Sequence, residues 1–264
     1  MKLIFACIAF LMFSAVSPGT ELHPIVHAET GFLIGASAEG KWLETKDIAK
    51  AVRPGLAFRL YGLRREMAST KAGKTESAEE PCPETQVVEL VPKPPRGAEI
   101  GIASSWNALP RAPRLEEVQT HYTTAVREFL ESRGLRDPQV KITQTIRVDL
   151  EGDGEEEVLI SATNYFAASG RIPSSAPAGS HSLVLLRRVV NGKVVTQLLE
   201  GEFYAEAKEF NAPGAYRVAA VLDLNGDGAL EVVVAGAYYE GSWTAIYQCT
   251  AAEIKKVLSA GCGA

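Results

Sequence analysis

Twice in the second half of the chain, an acidic turn bearing two glycines runs directly into an unbroken apolar segment. The first copy reads Asp149-Leu150-Glu151-Gly152-Asp153-Gly154-Glu155-Glu156-Glu157 and leads into Val158-Leu159-Ile160. The second reads Asp223-Leu224-Asn225-Gly226-Asp227-Gly228-Ala229-Leu230-Glu231 and leads into Val232-Val233-Val234. Each turn is approached by an extended stretch, Lys141 to Asp149 in one copy and Tyr216 to Asp223 in the other. The first of these alternates apolar Ile142, Ile146 and Val148 with polar neighbours, the period of a half-buried strand. Ser182 to Val190 and Ser242 to Thr250 follow, then Val194 to Leu199 and Ile254 to Leu258. Asn191-Gly192 marks a tight hairpin between two of them. Residues 141–201 and 216–261 are therefore each expected to form four antiparallel strands running up and down. The copies differ mainly at residues 167–179, a Ser/Pro/Gly-rich excursion between the second and third strands.

Oxygen-bearing residues at every second position, with glycines that tolerate left-handed backbone, allow a short loop to curl around one hard cation. Calcium takes six to eight oxygens at about 2.3–2.6 Å, a demand such a loop can meet with side chains, one carbonyl and water. In the second copy the expected ligands are the side chains of Asp223, Asn225, Asp227 and Glu231 and the Ala229 carbonyl. In the first they are Asp149, Glu151, Asp153 and Glu157 with the Glu155 carbonyl. An EF-hand requires a bidentate Glu at loop position twelve, followed by a helix. Here that position holds Ile160 or Val234, and a strand follows.

Both turns, ending at position nine and entering a strand, resemble the FG-GAP and VCBS-type repeats of extracellular β-propellers. The likeness spans Lys141 to Gly261 and lies mostly in the Asp-x-Asn-Gly-Asp-Gly turn. It implies calcium between the first two strands of each blade and a role in adhesion or as a carbohydrate-associated scaffold. Glu151 departs from the Asp or Asn usual at the third position, which implies weaker binding in the first loop. Two blades cannot close a ring, which needs about four or more. The meanders are then completed either by the amino-terminal strands or by packing on each other as a sandwich.

The amino-terminal half reads as further β structure. Phe32-Leu33-Ile34, Ala57 to Tyr61, Gln86 to Leu90 and Glu99 to Ala103 are strand candidates, and Glu44 to Val52 is a short helix. Residues 29–65 form a small β-rich segment, residues 66–84 read as an exposed loop or linker, and residues 85–140 hold short strands and a helix. Leu115, Val118, Tyr122, Ala125, Val126, Phe129 and Leu130 recur at three- and four-residue steps, predicting one amphipathic helix that stops at Gly134. The expected fold is mainly β with that helix: two blade-like meanders plus an amino-terminal β-rich region.

Lys2 followed by the apolar run Leu3 to Val16 reads as a secretory signal peptide within residues 1–28, with cleavage after Ala28 or near Ser17-Pro18-Gly19. The run is too short for a comfortable membrane span, so no stable insertion is expected. Of four cysteines in 264 residues, Cys7 would leave with the signal peptide; of the other three, Cys249 and Cys262 are the close pair for a disulfide in an oxidising compartment, which leaves Cys82 odd. A net charge of −5 gives no field that would attract nucleic acid. No Gly-x-Ser-x-Gly elbow, His-Glu-x-x-His helix or phosphate loop is present, and His121 and His181 read as structural. The expected function is that of a secreted, non-catalytic calcium-binding module. Its expected partner is an extracellular glycan or protein, met by Tyr165-Phe166, Tyr238-Tyr239, Trp243 or Trp106. The alternative is an extracellular hydrolase or carbohydrate-active enzyme.

Overall fold

The computed structural model describes residues 21–164 and 171–263. The elements in chain order are β1 (His23–His27), β2 (Leu33–Ala38), β3 (Lys41–Leu43), α1 (Thr45–Ile48) with a 3-10 turn at Ala49–Ala51, β4 (Ala57–Tyr61), β5 (Glu66–Ser77), β6 (Gln86–Val91), β7 (Ile100–Ile102), β8 (Arg114–Leu115), α2 (Thr120–Ser132), β9 (Ile142–Val148), β10 (Glu157–Thr163), β11 (Ser180–Val190), β12 (Lys193–Tyr204), β13 (Ala215–Leu222), β14 (Glu231–Tyr238), β15 (Gly241–Cys249) and β16 (Ile254–Gly263).

These strands form three antiparallel sheets. Seven strands in the order β3-β2-β1-β7-β4-β5-β6 make the first, five in the order β12-β11-β10-β9-β8 the second, and β13-β14-β15-β16 the third. The two expected meanders are present as β9–β12 and β13–β16, each acidic turn joining its first two strands. No propeller ring forms among the described residues; instead the four-stranded sheet lies between the other two. Val218, Val221, Val232, Val234, Ala245 and Tyr247 pack one of its faces against Ile146, Leu159, Val184 and Leu186 of the five-stranded sheet. Ala220, Leu222, Val233 and Ile246 pack the other face against Ile25, Ile34, Ile100 and Ile102 of the seven-stranded sheet. Burial on both faces is why Val232-Val233-Val234 shows no polar alternation. A bulge between Val218 and Ala220 inserts Ala219, so that Val218 and Val221, three residues apart, share one face.

The outer sheets are covered in turn. Tyr122, Val126 and Leu130 of α2 lie on Val158, Ile160, Leu183 and Leu185. The seven-stranded sheet curls into a half-barrel as β6 returns to Gly31 and Phe32, with a bridge from Phe32 to Val87. Phe58, Leu33, Val88, Ile48 and Val52 fill its concave side. Among the described residues, no helix is long and apolar enough to cross a membrane.

Several expectations are corrected. Residues 66–77 of the expected linker 66–84 are strand β5, paired with both β4 and β6. Its only fully buried side chains are Thr70 and Ala72, so backbone ladders rather than apolar burial fix it. Residues 23–27 of the expected leader 1–28 are β1, paired with β2 and β7. Ile25 and Val26 are fully buried, so a boundary after Ala28 would remove a central strand. The earlier cleavage candidate lies outside the described residues. Helix α2 begins at Thr120, because Arg114 and Leu115 pair with Arg147 and Ile146 of β9. Leu115 and Val118, taken as part of its apolar stripe, are half exposed.

The disulfide joins Cys82 to Cys262, with Cα atoms 5.6 Å apart, and Cys249 is free and buried. The expected Cys249–Cys262 bond is excluded by register. Cys249 pairs with Ile254 at one end of the β15–β16 hairpin, whereas Cys262 pairs with Ser242 at the other. Seven residues of strand, roughly 23 Å, separate sites that a disulfide needs within about 7 Å. The observed bond staples the β5–β6 connection to the last strand. Thr85 reinforces it by donating its hydroxyl to the Gly261 carbonyl at 2.7 Å.

Candidate metal centre

The two acidic turns adopt the same hydrogen-bonded form. In the second, Asp223 Oδ1 accepts the Gly226 N–H at 2.6 Å and Oδ2 accepts the Gly228 N–H at 3.1 Å. In the first, Asp149 accepts from Gly152 at 2.6 Å and from Gly154 at 3.0 Å. The glycines make this curl possible: Gly226 and Gly228 have φ of +80° and +88°, and Gly152 and Gly154 have +78° and +91°. Side chains rarely adopt such angles. Asp227 Oδ1 takes the Ala229 N–H and Asp153 Oδ1 the Glu155 N–H. The residue that opens the following strand then reaches back: Glu231 Oε2 accepts the Leu224 N–H at 2.8 Å, and Glu157 Oε2 the Leu150 N–H at 2.9 Å.

Burial separates the copies. Asp223 is 5% exposed and Glu231 fully buried, whereas Glu151, Asp153 and Glu155 are all exposed. Glu231 Oε1 has no hydrogen-bond partner, although its carboxylate is aimed into the turn by the bond from Leu224. Burial pushes the Glu231 carboxyl up to about 8, the Leu224 N–H opposing and the charges of Asp227 and Asp223 adding. Asp223 is also raised, chiefly by burial, as is Glu157. A buried carboxylate oxygen without a donor is costly unless a cation or proton sits against it.

Sequence reasoning missed the strap between β7 and β8. Trp106 lies against Gly226, where a Cβ would come 3.4 Å from the indole, and its Nε1 donates to the Asp223 carbonyl at 2.9 Å. The Asp223 N–H in turn donates to the Ala108 carbonyl at 2.8 Å, and Arg59 holds the Trp106 carbonyl at 2.5 Å. Trp106, expected as a candidate ligand-binding ring, thus closes the second turn. Arg111, which carries no motif, reaches the backbone of both turns. The turns also touch directly, Leu230 N–H donating to the Leu150 carbonyl at 2.8 Å.

Among the described residues, no three His, Cys, Asp or Glu side chains are gathered as a metal-holding group. Turn-internal bonds fold Asp223, Asn225 and Asp227 back onto backbone N–H groups. A carboxylate has about four lone-pair sites and an amide oxygen two, so each retains capacity for a cation. The donor set is all oxygen, which suits a hard divalent ion.

The remaining candidates fall elsewhere. Trp243 packs edge-to-face on Tyr216, centroids 5.5 Å apart, and joins the core between the two meanders. Tyr239 is half exposed beside Tyr238, and Tyr165-Phe166 lie outside the described residues. A cleft of about 680 Å³ opens at the end of the strands opposite the acidic turns, lined by Trp243, Tyr216, Arg217, Thr143, Phe32 and His27. His121 stacks on Tyr122, while His181 is fully buried and held low in pKa chiefly by burial. No protein family, curated protein or solved structure matches this chain.

Proposed function

We propose that the chain is an exported, non-catalytic calcium-binding β-protein whose acidic turns tie its sheets together when the ion is bound. The observation that carries this reading is Glu231: buried, aimed into the second turn, and short of a partner for one oxygen. Asp223, Asn225, Asp227, Glu231 and the Ala229 carbonyl would hold the ion there. Asp149, Glu151, Asp153, Glu157 and the Glu155 carbonyl would do so in the first turn. Calcium would supply positive charge to carboxylates that otherwise repel one another. The proposal retains the turn chemistry of FG-GAP and VCBS-type repeats, each four-stranded meander serving as a blade-like unit in a stack. Export is supported by the apolar run after Lys2 and by the Cys82–Cys262 bond. The cleft at the far end of the strands is where an extracellular glycan or protein ligand would be held.

Thermal melting with and without calcium tests the proposal. Millimolar calcium raises the melting temperature of the parent after chelator treatment, magnesium raises it less, and Asp223→Ala loses most of the calcium shift. An unchanged melt in the parent at 10 mM calcium overturns the reading. Hydrolysis of glycans or esters that persists in EDTA would favour the enzyme alternative.

A further inference from the structure

Arg111 sits where the two turns meet, and its hydrogen bonds go entirely to backbone oxygens. Nε donates to the Asp149 carbonyl at 2.8 Å, and Nη2 donates to the Leu150 carbonyl at 3.2 Å and to the Gly228 carbonyl at 2.7 Å. Two of these acceptors belong to the first turn and one to the second. The Leu150 carbonyl also receives the Leu230 N–H from the second turn, so one oxygen is shared by the strap and both turns. No ion pair within 4 Å involves Arg111 among the described residues. A guanidinium amid so many acids that binds carbonyls instead leaves the carboxylates available while fixing the backbone that presents them. Its planar fork spans three acceptors, which the single nitrogen of a lysine cannot do in the same geometry.

We propose that Arg111 is a positioning residue that couples the two acidic turns, so that a divalent cation held by one raises the affinity of the other. The inference rests on the reading that the turns bind calcium. An ion in either turn orders its backbone, and through Arg111 and Leu150 the neighbouring turn is ordered as well, so less ordering cost remains for the second ion. Neutralising one set of carboxylates also lowers the repulsion felt by the other. The coupling is reciprocal by thermodynamic necessity.

Trp106, packed on Gly226, makes the second turn separately readable: terbium bound there is sensitised by indole excitation, and calcium displaces it. Affinity of the second turn is measured in the full chain and in Asp153→Asn, which weakens the first turn at an exposed side chain. The same pair is then measured with Arg111→Lys and with Arg111→Gln. The expected result is that Asp153→Asn lowers second-turn affinity about fivefold, the low end of ordinary coupling. That effect falls below twofold in both Arg111 variants. Arg111→Gln weakens calcium binding, although removing a nearby positive charge would strengthen it if simple attraction governed. Arg111→Lys weakens it with the charge retained. Turns that bind calcium independently, a coupling that persists without Arg111, or tighter binding in Arg111→Gln each overturn this inference and leave the calcium reading intact. A parent that binds neither terbium nor calcium removes both.

Discussion

The two acidic turns share a backbone form and differ in what surrounds it. The second is roofed by Trp106, opens on the buried Asp223 and closes on the fully buried Glu231. Asn225 completes it, accepting the Asp227 N–H at 3.0 Å and donating to Asp227 Oδ2 at 2.9 Å. The first is exposed from Glu151 to Glu156, and the longer Glu151 makes no matching bond to Asp153 among the described residues. The same backbone curl thus lies mostly at the surface in one copy and against a core in the other. The second therefore combines the more strained carboxylate with the more ordered cradle. Position in the stack accounts for the difference: the second turn caps the middle sheet, while the first caps an outer one.

The largest expected effect compares the two closing glutamates. In EDTA at pH 7, Glu231→Ala leaves the buried Leu224 N–H without its acceptor and opens a cavity, costing about 3 kcal/mol. Glu157→Ala costs about half as much, because Glu157 keeps 6% exposure beside the exposed run Glu151 to Glu156, whereas Glu231 is wholly buried. Urea unfolding measures both, and equal losses would break the contrast. Next comes calcium itself: at tenfold excess over the dissociation constant each site contributes about 1.4 kcal/mol. Asp223→Asn should abolish the larger, tighter share of that gain and Asp153→Asn the smaller, as read by calcium-dependent melting.

A pH effect follows from the raised Glu231 carboxyl. Its native value of about 8 lies above its ordinary 4.5, so between these limits the folded state binds more protons than the unfolded. The metal-free protein should therefore become more stable as pH falls from 8 to 6.5, by on the order of 1 kcal/mol. Below that range the partly buried His27 and the fully buried His181, both lowered chiefly by desolvation, work in the opposite direction. Glu231→Gln should flatten the slope in chelator melts, whereas Glu157→Gln should leave most of it. The smallest effect is a gain: Glu151→Asn should restore the short internal bond and tighten first-turn calcium binding two- to threefold, about 0.5 kcal/mol, as titrated by calorimetry.

Local pattern made the second half of the fold legible. Alternation, the glycine-bearing turns and Asn191-Gly192 located β9–β12 and β13–β16 because each contact there joins neighbours in sequence. Long-range pairing was not legible in that way. The β5 strand has too few apolar side chains to betray itself, and it is a strand because β4 and β6 flank it. Cys82 meets Cys262 across 180 residues, a juxtaposition decided by how two sheets dock. At the site, the oxygen ladder from Asp223 to Glu231 was visible as spacing. Arg111 was not visible, and Trp106 was visible only as a candidate ligand-binding ring, since both act on the turns through backbone carbonyls and a carbonyl leaves no mark on the sequence. The one available hint was a tryptophan and an arginine amid prolines, in a stretch with no periodicity of its own.

The bond between Cys82 and Cys262 also sets how the molecule would carry mechanical load. A pull applied at Leu22 and Gly263 passes along the first strands to Cys82 and leaves through Cys262, so the covalent path skips everything between them. Only about 60 residues could be drawn out, roughly 200 Å of chain, before the tether went taut. Both acidic turns, the middle sheet and helix α2 would stay slack within the closed loop, the ion-holding geometry of the turns shielded from tension. Reduction would place the whole length in series and expose those turns to the force.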